Sequence, residues 1–155
     1  MILWESCKED FKWDGSLRDI YVAPATLKEW QSVHSLVSKM PGAEFLVDGV
    51  THPLPFSVEQ IFEIRPSTSP TLRIVAGRAL VVFHFFCEEE IEADVDPREI
   101  TSQLDLDALL AFIQKLGDAT HKCANLTPEN QPDKPFLIYD PTTAQFEYRD
   151  ATKKG

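Results

Sequence analysis

Cysteine is scarce and unpatterned. The chain has three, Cys7, Cys87 and Cys123, far apart and without a CxxC pair. That excludes a disulfide framework and suits a reducing compartment. Long apolar runs are missing as well. The longest, Ala79 to Cys87, is broken by His84 and falls far short of the roughly 20 residues a membrane helix needs. The opening MILWESCKED has neither a basic n-region nor an apolar h-region, so no signal peptide is expected and cytoplasm is the expected location. Internal repeats and low-complexity segments are absent. So are HExxH, a P-loop, GxGxxG and GxSxG. The four histidines, His34, His52, His84 and His121, show no metal-ligand spacing. Cys87 stands beside Glu88, Glu89 and Glu90, a setting that raises a thiol pKa and disfavours a nucleophile. No catalytic residue, metal or cofactor is assigned on these grounds.

Positive charge is the minor sign. Fifteen Lys and Arg face 25 Asp and Glu, a formal net charge of −10. Such a surface repels phosphates and anionic lipid, so neither nucleic acid nor membrane is an expected partner. A basic protein is the partner that the charge would suit.

What is present describes a folded chain. Its 155 residues, 43% of them hydrophobic, suit a single globular domain over 1–155 that buries roughly 70% of its unfolded surface. After the Asp14-Gly15 turn, residues 17–22 read as a strand. Thr26 and Glu29 have capping-box spacing. Leu27, Trp30, Val33, Val37 and Met40 then recur at helical intervals until Pro41-Gly42. AEFLV reads as a short strand closed by Asp48-Gly49. Ser57 and Gln60 open a second helix that Pro66 ends. Strands are predicted at 71–76, 79–86 and 90–96, a helix at about 103–117, and a C-terminal hairpin in PFLIYDPTTAQFEY. The terminal ATKKG is expected to fray. The order β, α, β, α, three strands, α, two strands predicts an α+β fold. It has a mostly antiparallel sheet, a central three-stranded meander at about 71–96, and two to three helices on one face.

The stretch FHFFCEEEIEADVD sharpens this. Alternation puts Glu90, Glu92, Asp94 and Asp96 on one face and Ile91, Ala93 and Val95 on the other. A loop over 87–89 would set Phe86 opposite Glu90, His84 opposite Glu92 and Val82 opposite Asp94. The opposite face then gathers Val81, Phe83 and Phe85 with the apolar residues of the next strand. A two-residue turn at Gly77-Arg78 pairs Ile74 with Val81, Arg73 with Val82 and Leu72 with Phe83. A slip of one residue would bury the carboxylates, so burial sets the register.

The mixed face carries Leu80, Val82, His84, Phe86, Glu90, Glu92, Asp94 and Asp96. An apolar centre among charges is the anatomy of an interface, and an acidic field steers a cationic partner. The function expected is therefore non-enzymatic protein binding, in one version an inhibitor or immunity-type protein occluding a basic partner. A solvated edge strand, with its charges only preventing aggregation, is the plainer alternative. Another is a small-ligand-binding protein or hydrolase with a pocket near His84, Glu92 and Asp94. A homo-oligomer burying the mixed face is a third, and composition leaves monomer or homodimer open. His84 is expected to bond Glu92. Trp4, Phe11 and Trp13 either close a core edge or cover the mixed face. Arg18, Asp19 and Tyr21 are expected to be exposed beside the sheet, without an assigned task.

Overall fold

Nine strands, four α-helices and two short 3-10 helices, Lys8–Phe11 and Pro97–Glu99, account for the regular structure of residues 1–150, which the computed structural model describes. The fraying expected of ATKKG falls outside these described residues. In chain order the elements are α1 (Trp4–Cys7), β1 (Arg18–Val22), α2 (Leu27–Ser38), β2 (Glu44–Val47), β3 (Val50–His52), α3 (Val58–Ile64), β4 (Pro70–Ala76), β5 (Ala79–Cys87), β6 (Glu90–Val95), α4 (Gln103–Thr120), β7 (Ala124–Pro128), β8 (Leu137–Asp140) and β9 (Gln145–Tyr148). One sheet runs β3-β2-β4-β5-β6-β1-β7-β8-β9. Every neighbouring pair in it is antiparallel. The α+β class and the antiparallel meander are thus as the periodicities predict. The first strand of the chain, however, lies deep in the sheet, between β6 and β7.

Local chemistry explains most boundaries. The Thr26 hydroxyl accepts from the Lys28 amide at 3.2 Å and caps α2. Ser57 and Gln60 form a complete capping box on α3, satisfying amide groups that a helix start leaves unbonded. Asp48 and Gly49 both adopt positive φ, 51° and 81°, the conformation that a tight two-residue hairpin requires. That turn pairs β2 with β3. The three-residue β3 is fully exposed and too short to show a pattern, which is why the sequence does not announce it. β7 is missed for a different reason. Its ANLTP contains residues that disfavour strands and runs into a proline-rich loop. Its pairing with β1 on one side and β8 on the other supplies the order.

The meander register agrees with the burial argument. Leu72 pairs with Phe83, Arg73 with Val82 and Ile74 with Val81, while Val82 faces Asp94 and His84 faces Glu92. Burial along β5 and β6 alternates strictly up to Phe85. One detail differs. A bulge lies between His84 and Cys87, so Cys87, not Phe86, stands opposite Glu90. The loop is correspondingly tighter than the three residues expected. Phe85 remains buried at 2% exposure and Phe86 stays on the open face, as alternation requires; the bulge changes only which residue stands opposite Glu90.

Helices α2, α3 and α4 cover the apolar face of the sheet. The Trp30 ring of α2 stacks on Phe85 at 4.8 Å, and Phe112 of α4 meets Phe83 edge-on at 6.0 Å. The N-terminal aromatics join this side. Phe11 packs against Trp4 and Phe136, and Trp13 lies beneath the Arg98 guanidinium at 3.8 Å. Of the two roles expected for them, closing the core edge is the one Phe11 fulfils.

Candidate interaction face

Alternation and register together place side chains in rows across the helix-free side of the sheet, whose β1 and β7 part is buried where the Asn130 amide reaches Asp19. One row runs Thr71, His84, Glu92, Tyr21, Asn125; the next runs Glu44, Arg73, Val82, Asp94, Asp19, Thr127. Glu92 and Asp94 come from β6, His84 and Val82 from β5, and Asp19 and Tyr21 from β1. The contribution of β1 is the part that sequence reasoning missed. Contrary to the expected exposure, Asp19 and Tyr21 are only 3% and 4% accessible, and Arg18 is buried too. The available signal was the alternation within RDIYV, which puts Asp19 and Tyr21 on the face opposite Ile20 and Val22. Nothing local revealed that β6 would lie alongside.

The eight residues predicted for this face fall in four places. His84, Glu92 and Asp94 come together at its centre, half-buried, with Val82 beside them. Phe86 is 55% exposed, and its ring stacks parallel on His84 with centroids 5.0 Å apart. Arg65 approaches the Phe86 ring at 5.9 Å. Leu80 is half-buried at the lower margin, where its amide donates to Glu99 at 3.2 Å. Glu90 and Asp96 lie at the two ends of β6. Asp96 accepts from the Arg98 amide at 2.9 Å and from its guanidinium at 2.7 Å. Its carboxyl is held below the ordinary value, chiefly by that side-chain bond.

The bond expected between His84 and Glu92 is not the one formed. His84 Nε2 instead meets Asp94 Oδ2 at 2.7 Å. Glu92 stands across from Tyr21, and burial, then acidic neighbours, raise the pKa of the Tyr21 hydroxyl. Tyr21 donates to Asp19 at 3.0 Å, and the Asn130 amide donates to the same Asp19 oxygen at 2.7 Å.

Three carboxylates are therefore concentrated where alternation along one strand alone would have spread them. Asp19 lies directly opposite Asp94, a like-charge pairing that disfavours the sheet by roughly 0.2–1 kcal/mol. Burial, then nearby anions, push both Asp19 and Glu92 above their ordinary values, against the hydrogen bonds that oppose the shift. His84 moves upward too, mainly through its bond to Asp94 and against its own burial. The face thus holds a field that an added cation would relieve. Arg73 bonds Glu44 at its far side, leaving His84 as the cationic group inside the cluster.

Among the described residues, no group of three or more His, Cys, Asp or Glu is arranged to hold a metal ion. No helix among them is long and apolar enough to cross a membrane. The larger clefts, between the N-terminus and α4, between α2 and α4, and around Trp13, are lined by residues other than His84, Glu92 and Asp94. Comparison with family models, curated proteins and solved structures finds no match to this chain.

Proposed function

We propose that this chain is a non-enzymatic binding protein whose helix-free sheet face docks a basic protein, in the manner of an inhibitor or immunity-type protein. The observation that carries this reading is the half-buried pair Glu92 and Asp94, backed by the buried Asp19, on a helix-free face beside the exposed Phe86 ring. A partner arginine or lysine placed there gains from an acidic field already assembled, and from a ring on which a guanidinium can stack. Phe86 and Val82 supply the apolar centre, and Glu90 and Asp96 the charged margin. The proposed location is cytoplasm, where the three thiols remain reduced.

Affinity capture from native cell extract, with bound proteins quantified at low and high salt, tests the proposal. Wild-type chain is expected to retain a basic protein that high salt releases. Folded Glu92→Lys and Asp94→Lys variants are expected to lose it. Equal recovery by the variants would sink the assignment to this face.

A further inference from the structure

The side of the molecule opposite the open sheet face carries a second, differently charged surface. Between α2 and α4 runs a groove of about 770 Å³, with Leu36, Met40 and Ala119 as its apolar part and Lys28, Lys39 and Lys115 as its cations. Other cations of this acidic chain, among them Lys8, Arg73, Arg78, Arg98 and Lys122, reach a carboxylate. The three groove lysines are exposed and make no ion pair among the described residues. Unpaired ammonium groups around an apolar trough suit an occupant with an apolar centre and acidic flanks.

The chain itself displays such an occupant. Phe56 is 92% exposed, yet it is not on a loose loop. Pro53 and Pro55 restrict the backbone just before it. His34 Nε2 lies 2.7 Å from the Pro55 carbonyl oxygen, and the Val58 amide donates to Gln31 at 3.1 Å. Both anchors belong to α2, so the ring is held outward by fixed chain on either side. Glu59 and Glu63 follow on α3, exposed and four residues apart, hence on one helix face. Little ordering remains to be done when such a ring docks. Gln31 lines the groove and also anchors this segment at Val58, so the chain that carries the ring starts from the groove's own wall. That adjacency is what a two-fold contact requires, since each copy must offer both halves.

We propose that the α2–α4 groove receives a second copy of this chain. Phe56 of each copy enters the apolar trough of the other, and Glu59 and Glu63 meet the lysines at its rim. The contact uses none of the residues assigned to the proposed partner surface. Two chains of net charge −10 repel at long range, so the local contacts must carry the association.

The test is molar mass in solution, by light scattering and sedimentation at about 100 µM chain and about 0.15 M salt. A dimer is expected. Phe56→Ser alters an exposed residue, should fold normally by circular dichroism, and is expected to weaken dimerisation about 100-fold or more, because a central aromatic anchor is lost twice. Two charge-reversed chains give the decisive arm. One carries Lys28→Glu, Lys39→Glu and Lys115→Glu; the other carries Glu59→Lys and Glu63→Lys. Each alone opposes like charges and is expected to be monomeric. Mixed, they restore both ring-and-groove contacts and are expected to form a one-to-one heterodimer. A monomeric wild type, a dimer indifferent to Phe56→Ser, a mixture that stays monomeric, or a dimer lost instead on Asp94→Lys would each overturn the proposal.

Discussion

His84 Nε2 lies 2.7 Å from Asp94, its diagonal neighbour, although Glu92 stands directly across from it. The bond holds the imidazole against Phe86 and raises its pKa above 6.5, with its own burial opposing. Because the folded value is the higher one, the imidazolium stabilises the fold. That stabilisation is complete below pH 6.5, the ordinary value, and is lost as pH rises through the raised value. Titration of the His84 ring proton by NMR is expected to show the elevation, and Asp94→Asn to bring it down. Denaturation midpoints of wild type and His84→Gln should converge as the pH rises through the same window. A His84 that titrates at or below 6.5 would remove this account of the cluster.

Phe83 and Phe86 are three residues apart on one strand, yet they serve opposite sides. Phe83 is fully buried against Phe112, whereas Phe86 is more than half exposed. Phe83→Ala is expected to cost about 3–5 kcal/mol of stability, the usual range for truncating a core aromatic. Phe86→Ala should cost less than about 1 kcal/mol, while reducing capture of the basic partner. Urea denaturation of the two variants separates the roles. A large stability loss from Phe86→Ala would mean that the ring serves the fold.

Gly117 lies within α4, where alanine would ordinarily favour the helix by about 1 kcal/mol. A Cβ at this position would come 2.5 Å from the Tyr139 ring. Tyr139 is fully buried and its hydroxyl is anchored on Asp118 at 2.6 Å, so the ring has little room to yield. Gly117→Ala is therefore expected to destabilise by about 1–3 kcal/mol, the range for overpacking. Most of that loss should vanish in a Tyr139→Leu background, which a double-mutant cycle would measure. Stabilisation by Gly117→Ala alone would show that α4 can shift away from β8.

What the chain wrote locally was the alternation of β4, β5 and β6 and the Gly77-Arg78 turn between the first two. Side chains on a strand repeat every two residues, so only one register buries Leu72, Phe83 and Ala93 together. The capped helices α2 and α3 and the C-terminal hairpin were legible for similar reasons, each resting on contacts within a few residues. Tertiary structure decided the rest. β7 has almost no pattern of its own and exists because two neighbours pair with it. The bulge after His84 and the choice of Asp94 over Glu92 depend on distances across strands. Above all, the insertion of β1 beside β6 brought Asp19 and Tyr21 to the acidic residues, joining segments some 70 residues apart. Which strand fills which place in a sheet depends on the burial that the whole assembly can achieve, and no short stretch of chain contains that information.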